Sequence, residues 1–277
     1  MKRRFVIAAI AVAGLVSFEA LGLRPSEVVP TRAELGTLSS FLLGAFSPAL
    51  TYEAAYVGAD APPLLLKVAD AARRTVVFAA AAMSLAIVGG VVLGFLASTA
   101  WWRHDLRSRG PIARIAFPLI YVGTRTLIAL MRSVHELLWA LIFLVAIGLT
   151  DIGAVVAIAL PYAGTLAKVF SELIDEAADD AATALGGAGA LPAQVFAFGL
   201  VPRALPDMGA YTLYRFECAL RSSAVVGFFG PETLGKFIRL SWDENHYAEV
   251  WTYLYALLVL IVIVEWWSGA LRSRFAA

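Results

Sequence analysis

Between Thr75 and Trp102 the chain carries no charged residue. That run exceeds the roughly 20 apolar residues a helix needs to cross a bilayer, and it sets the class of fold before any other feature is read. Gly89, Gly90 and Gly94 put small residues on adjacent turns of it. The Gly90-x-x-x-Gly94 spacing predicts close approach of a second helix, and Trp101–Trp102 supply an interfacial anchor. The remainder of the sequence agrees. Apolar residues make up 60% of 277, charged residues 16%, and the mean hydropathy is +0.78, against roughly 45–50% apolar and 25% charged in a soluble domain.

A net charge of +1 argues against nucleic acid as a partner and leaves membrane lipid as the surroundings. Cys218 is the single cysteine, so no intrachain disulfide forms and no cysteine cluster holds a metal. His104 and His246 fall on opposite membrane sides, which excludes a histidine metal site. Asp179–Asp180 sits in an Ala-rich run and reads as a solvated helix face.

The order of segments follows from hydropathy and basic residues. Lys2, Arg3 and Arg4 precede an apolar run, and residues 1–23 read as an uncleaved anchor helix, Phe5–Leu23, with its start in the cytoplasm. Residues 24–74, with Pro25, Pro30, Pro48, Pro62 and Pro63, form an external segment with surface-lying helices. The main membrane body is 75–277. After Thr75–Trp102, the basic stretch Arg103–Arg109 lies inside. Ile112–Arg132, punctuated by Arg114, Arg125 and Arg132, is an interfacial elbow. Further spans are expected at Val134–Leu149, at Ile152–Ala167 with Pro161 inside, at Asp207–Phe229 and at Tyr247–Trp267. Six crossings result, with both termini inside.

The stretch Ser171–Pro206 is therefore cytoplasmic, and it is too structured in composition for a plain connector. Glu172–Leu185 favours short helix, Gly186-Gly-Ala-Gly189 breaks it, and Leu191–Gly199 permits a second helix before Pro202 and Pro206. A helix–turn–helix across the membrane face suits docking into a groove on a soluble partner. The glycines lack the Gly-Lys-Ser/Thr continuation of a phosphate-binding loop.

This pattern resembles the coupling loop of ABC importer permeases, whose motif runs Glu-Ala-Ala, a Gly six residues after the Glu, an apolar residue and Leu-Pro. Gly189 and Leu200-Val-Pro202 match its later part, while Thr183-Ala184-Leu185 stands where the motif begins. Tyr211-Thr-Leu-Tyr-Arg-Phe-Glu217, Arg221-Ser222 and Val226-Gly-Phe228 are similar to phosphonate-type permeases in particular. Arg132-Ser-Val-His-Glu-Leu-Leu-Trp-Ala140 has His135 where that family has a proline before the glutamate.

The resemblance implies an all-α integral membrane fold, a six-helix importer permease of type I with cytoplasmic coupling helices. It implies a second permease subunit, a homodimer partner, two cytoplasmic ATPases that bind Mg-ATP, and a periplasmic binding protein, with no cofactor on this chain. The implied cargo is phosphonate or a related oxyanion, phosphite or phosphate; another small solute is the alternative within the class. Thr183, Ala184, Leu185, Gly189, Gln194, Pro202 and Arg203 would meet the ATPase.

Arg215, Glu217, Arg221, Ser222 and Ser223 are candidates for the translocation path. Charges at membrane depth are costly and mark function or pairing. Glu217 and Arg221, four apart on a helix, could neutralise each other; alternatively Arg221, Ser222 and Ser223 offer donors to oxyanion oxygens. A proton-coupled transporter using Glu217 or Glu136 is the reading from a different class, though it requires inverted repeats that the sequence does not display.

Overall fold

The computed structural model describes residues 2–22, 30–58, 60–100, 111–148, 150–177 and 180–275. Trp101–Trp102, the basic stretch with His104, Asp179, and Arg24 with Pro25 lie outside them. The chain divides into two compact units, 1–48 and 49–277.

The first unit holds α1 (Lys2–Ala20) and α2 (Arg32–Phe46). Phe5, Ile10 and Leu15 of α1 are all exposed. α2 starts at a reciprocal cap. Glu34 N–H donates to Thr31 Oγ1 while the Thr31 N–H donates to Glu34 Oε2 at 2.6 Å, which satisfies two donors the helix leaves open. These bonds hold the Glu34 carboxyl below its usual range.

The second unit is built on α3 (Leu64–Ala97) and α6 (Asp151–Glu176). They approach at the glycines. A Cβ on Gly90 would stand 2.7 Å from Leu166 Cβ, and one on Gly94 would stand 3.1 Å from Phe170 Cβ and Ala167 O. The small-residue spacing thus works as expected. α3 begins eleven residues before Thr75, so 64–74 is helix continuous with the apolar span and not part of a separate segment. At about 1.5 Å per residue it is longer than a bilayer core is thick, and its first turns carry the Asp70–Arg73 and Asp70–Arg74 pairs.

α4 (Pro111–Ser133) and α5 (Glu136–Ile147) form a bent pair, 89° apart, with the geometry of a broken span or a re-entrant loop. α4 packs on α6 through Gly164, whose missing side chain admits Met131 and Arg132. α6 runs nine residues past its expected end at Ala167, to Glu176. The extension places Asp175 where Ser98 Oγ (2.7 Å) and the Thr99 and Ala100 N–H groups (both 3.0 Å) donate to its carboxylate. Arg125 donates to Ala97 O at 3.0 Å. One carboxylate and one guanidinium thereby tie off the end of α3.

Then come α7 (Asp180–Gly187), a short turn at Pro192–Gln194, a π-helical stretch Val195–Leu200, and α8 (Val201–Val226). α8 starts six residues before the expected Asp207, because Pro202 suits a helix's first turn and Pro206 is accommodated inside it. A 3₁₀ turn, Gly227–Phe229, leads to α9 (Leu234–Asp243) and α10 (Tyr247–Phe275). α10 extends beyond Trp267 to include Arg272 and Arg274 in its last turn, where cations suit the helix dipole.

At the end opposite Asp175, Glu53 and Glu249 exchange bonds. Glu53 N–H donates to Glu249 Oε1 at 2.7 Å, and Glu249 N–H donates to Glu53 Oε2 at 2.9 Å. Lys67 lies over the rings of Tyr52 and Phe237. Among the described residues, α3, α6 and α10 are long and apolar enough to cross a membrane, and the bent α4–α5 pair is apolar enough only when its two pieces are taken together, as a broken span or a re-entrant loop. α1 and α8, the other two expected crossings, carry more charge: Lys2, Arg3, Arg4 and Glu19 in one, Arg203, Asp207, Arg215, Glu217 and Arg221 in the other.

Candidate functional site

Two sets of residues matter, one on the loop between α6 and α8 and one along α8 itself. In the loop, α7 crosses the π-helical stretch at Gly199, where an added Cβ would stand 3.0 Å from Ala182 Cα. Phe196 is buried edge-on against Phe95 of α3, with ring centroids 5.0 Å apart. These contacts clamp the loop to the membrane body. Gly189 ends α7 with φ +82°, a left-handed conformation that favours glycine, and the Ala190 N–H reaches back to Leu185 O. Gln194 accepts from Leu191 N–H at 2.9 Å, and Arg203 lies 3.7 Å from Asp180.

The loop's outer face is formed by Thr183, Ala184, Gly189, Gln194, Pro202 and Arg203, all exposed, with Leu185 half-buried. Leu191 and Phe198 are exposed as well, and the sequence reading did not single them out. Their signal was available: apolar residues flanking a glycine-terminated helix. The literal Glu176-Ala-Ala178 triplet begins at the last residue of α6, before α7.

Along α8 the expected pairing changes. Glu217 is buried, and its Oε1 lies 3.1 Å from Arg272 Nη2 of α10. The contact is an ion pair without an aligned hydrogen bond, since Oε1 has no partner of hydrogen-bond geometry. The Glu217–Arg221 pair predicted from i, i+4 spacing is absent. Arg221 points to the exposed side of α8 and makes no hydrogen bond or ion pair among the described residues. Tertiary packing turned Glu217 inward, toward a cation 55 residues away.

Ser222 and Ser223 are engaged within the bundle. Ser222 donates to Glu136 Oε1 at 2.9 Å and lies 3.0 Å from Tyr162 Oη. Ser223 lies within hydrogen-bond reach of Thr75 O and Leu220 O. Both hydroxyls are buried and join α8 to neighbouring helices. Arg215 sits over the rings of Tyr162 (5.3 Å) and Tyr211 (5.6 Å), with Nε buried and unbonded. It is held by ring faces and does not simply reach for the interface. Arg215, Cys218 and Ser222 share one side of α8 by spacing, and that side meets Tyr162 of α6 and Glu136 of α5.

Glu136 stands at the bend between α4 and α5. His135, the residue in the family's proline position, accepts from Leu137 N–H through Nδ1 at 3.3 Å and places Nε2 3.6 Å from Glu136 Oε2. The imidazole can cap α5 in this way. Tyr162 and Arg272 escaped the sequence reading: a tyrosine after a helix proline and an arginine after an interfacial tryptophan pair carry no distinguishing local pattern. No group of three or more His, Cys, Asp or Glu among the described residues is arranged to hold a metal.

No family model matches the chain. It is 30% identical over 201 residues to the phosphite transport system permease protein PtxC of Stutzerimonas stutzeri, covering 73% of this chain and 68% of that protein. It is also 30% identical over 174 residues to the putative phosphite transport system permease protein HtxE of the same organism, covering 63% and 67%. The phosphate-import permease protein PhnE of Mycolicibacterium smegmatis is 26% identical over 204 residues, 74% of this chain and 36% of that protein.

Among solved structures, an inward-facing MetNI methionine ABC transporter matches with a TM-score of 0.63 at 19% identity, covering 78% of this chain and 99% of that one. An amino acid ABC transporter with histidines matches with a TM-score of 0.62 at 14% identity, covering 76% and 94%. The structures establish the importer-permease fold, and the relatives place it within one branch. With its glycine-ended loop clamped under α3 and its charged α8, the chain belongs to the phosphite- and phosphonate-type family of ABC transport permeases.

Proposed function

We propose that this permease subunit pairs with a second copy of itself, is driven by two cytoplasmic ATPases that bind Mg-ATP, and receives phosphite, phosphonate or phosphate from a periplasmic binding protein. In this reading it lies in the inner membrane with both termini and the 180–203 loop in the cytoplasm. The exposed apolar set Leu191, Phe198 and Pro202, beside Gly189, suits a groove on the ATPase.

The observation that carries an oxyanion cargo is Arg221. An arginine on a membrane helix with no partner among the described residues is costly unless it serves a ligand or a water-filled path, and a guanidinium matches the oxygens of a tetrahedral anion. Phosphite and phosphate, for which the relatives from Stutzerimonas stutzeri and Mycolicibacterium smegmatis are named, agree with that chemistry. Glu217, the proton carrier of a secondary transporter, is already engaged by Arg272.

The test is uptake of phosphite, phosphate and methylphosphonate into vesicles holding the complete complex, with ATP hydrolysis measured in parallel. Import that needs ATP and the binding protein, and that falls at least tenfold in Arg221→Gln with ATPase retained, supports the proposal. Uptake that follows a proton gradient without ATP would overturn it.

A further inference from the structure

Seven residues beyond Arg221, α8 has ended at Val226 and the 3₁₀ turn Gly227–Phe229 borders a cleft of about 420 Å³. Backbone and rings of Gly227–Gly230 form one wall, and Lys236, Arg239, Leu240 and Asp243 of α9 form the other. None of these cations was marked by the sequence reading as a ligand-binding group.

The charges do not cancel within the cleft. Its lining holds Lys236 and Arg239 against the single carboxylate of Asp243. Arg239 Nε stands 3.5 Å from Asp243 Oδ2, both side chains being about half exposed, so that pair is loose. Glu232 lies 3.3 Å from Lys236 Nζ but also 3.2 Å from Arg74 Nη1, which shares its charge with a cation outside the cleft.

Arg239 is oriented in advance. Nη1 donates to Phe228 O at 2.7 Å, which fixes the guanidinium plane and leaves its Nη2 edge without a bond among the described residues. The wall behind it is rigid. Gly227 meets Thr233 Oγ1 and Gly235 meets the Ala224 carbonyl, both closer than any side chain could.

We propose that this cleft is an oxyanion-binding site at the mouth of the path, in which Arg239 and Lys236 hold a small phosphorus oxyanion before it reaches Arg221. The proposal rests on the transport reading above for the identity of the anion. A dianion offers more charge and more acceptor oxygens than the Asp243 carboxylate, and charge-assisted bonds to it are the stronger ones. It therefore displaces Asp243 from Arg239 and draws Lys236 from Glu232. Because each cation keeps a carboxylate to return to, the anion is released without an unpaired charge being left behind.

The experiment is arginine modification by phenylglyoxal on the complete complex in lipid, followed peptide by peptide. Phosphite, phosphate and methylphosphonate are compared with chloride at equal ionic strength. The expected result is that the three phosphorus anions slow modification of Arg239 several-fold, that Arg73, exposed and outside the cleft, is unaffected, and that Lys236→Gln weakens the protection. Equal modification of Arg239 in phosphite and chloride while import proceeds would overturn the cleft and leave the transport reading standing. Protection without import of any of the three anions would instead retain the cleft as an anion site and overturn the transport reading.

Discussion

Arg272, in the last turn of α10, places Nη2 3.1 Å from the buried Oε1 of Glu217 in the middle of α8. The pair joins the helix that presents Arg221 to the C-terminal helix, and it explains how a carboxylate is tolerated within an apolar bundle. Removing the cation alone leaves a buried charge. Arg272→Gln should cost about 2–3 kcal/mol, less than the roughly 3–5 kcal/mol of a fully buried pair because Arg272 is partly exposed. The double variant Glu217→Gln/Arg272→Gln should recover much of that loss. Thermal unfolding of the four proteins in one detergent checks it, and strictly additive losses would show the two residues to be uncoupled.

The Ser222 hydroxyl serves Glu136 and Tyr162 at once. Ser222→Ala should destabilise by about 1–3 kcal/mol, since it strips a partner from the buried Tyr162 hydroxyl and from the half-buried Glu136 carboxylate. Ser222→Ala combined with Tyr162→Phe should cost clearly less than the sum of the single changes. Denaturation midpoints in a common detergent measure this, and a loss equal to that sum would contradict the shared network.

Close approach of α3 and α6 at Gly90 leaves no room for a side chain. Gly90→Val should lower stability by about 1–3 kcal/mol through overpacking. Gly123→Ala, on α4 with open space around it, should be neutral or stabilising by up to about 1 kcal/mol, because alanine is the better helix former. Paired melting curves would decide, and equal behaviour of the two variants would refute the α3–α6 contact.

Gly189 ends α7 with positive φ, whereas Gly187 does not. Gly189→Ala should strain the turn by about 1–2 kcal/mol and lower ATPase stimulation by the loaded binding protein. Gly189→Asn should be milder and Gly187→Ala close to neutral. Stimulated hydrolysis by the complete complex distinguishes them; wild-type stimulation in Gly189→Ala would remove the loop from the coupling route.

Local pattern made most of the scaffold legible. The uncharged run after Arg74 gave a span, the Gly90/Gly94 spacing predicted a packing seam, and the glycine–proline punctuation of 186–206 marked a structured loop. Helix ends were less readable. The α6 extension to Glu176 depends on Asp175 bonding to Ser98, Thr99 and Ala100, residues that lie far away in sequence. The α4–α5 stretch was expected to be an elbow plus a separate crossing, and its 89° bend at residues 134–135 goes with packing on Gly164 and with the cap at His135, contacts that no local pattern marks.

What the sequence determined by itself was the membrane class, the importer-permease resemblance and which charges on α8 needed an explanation, because hydropathy and short motifs are properties of neighbouring residues. What only the tertiary structure decided was how those charges are used. Glu217 turned to Arg272, Ser222 to Glu136, and Arg215 to two tyrosine rings, leaving Arg221 exposed. Partners 55 and 86 positions apart compete with the i, i+4 neighbour, and in an apolar bundle the carboxylate is held by whichever cation the helix packing brings against it.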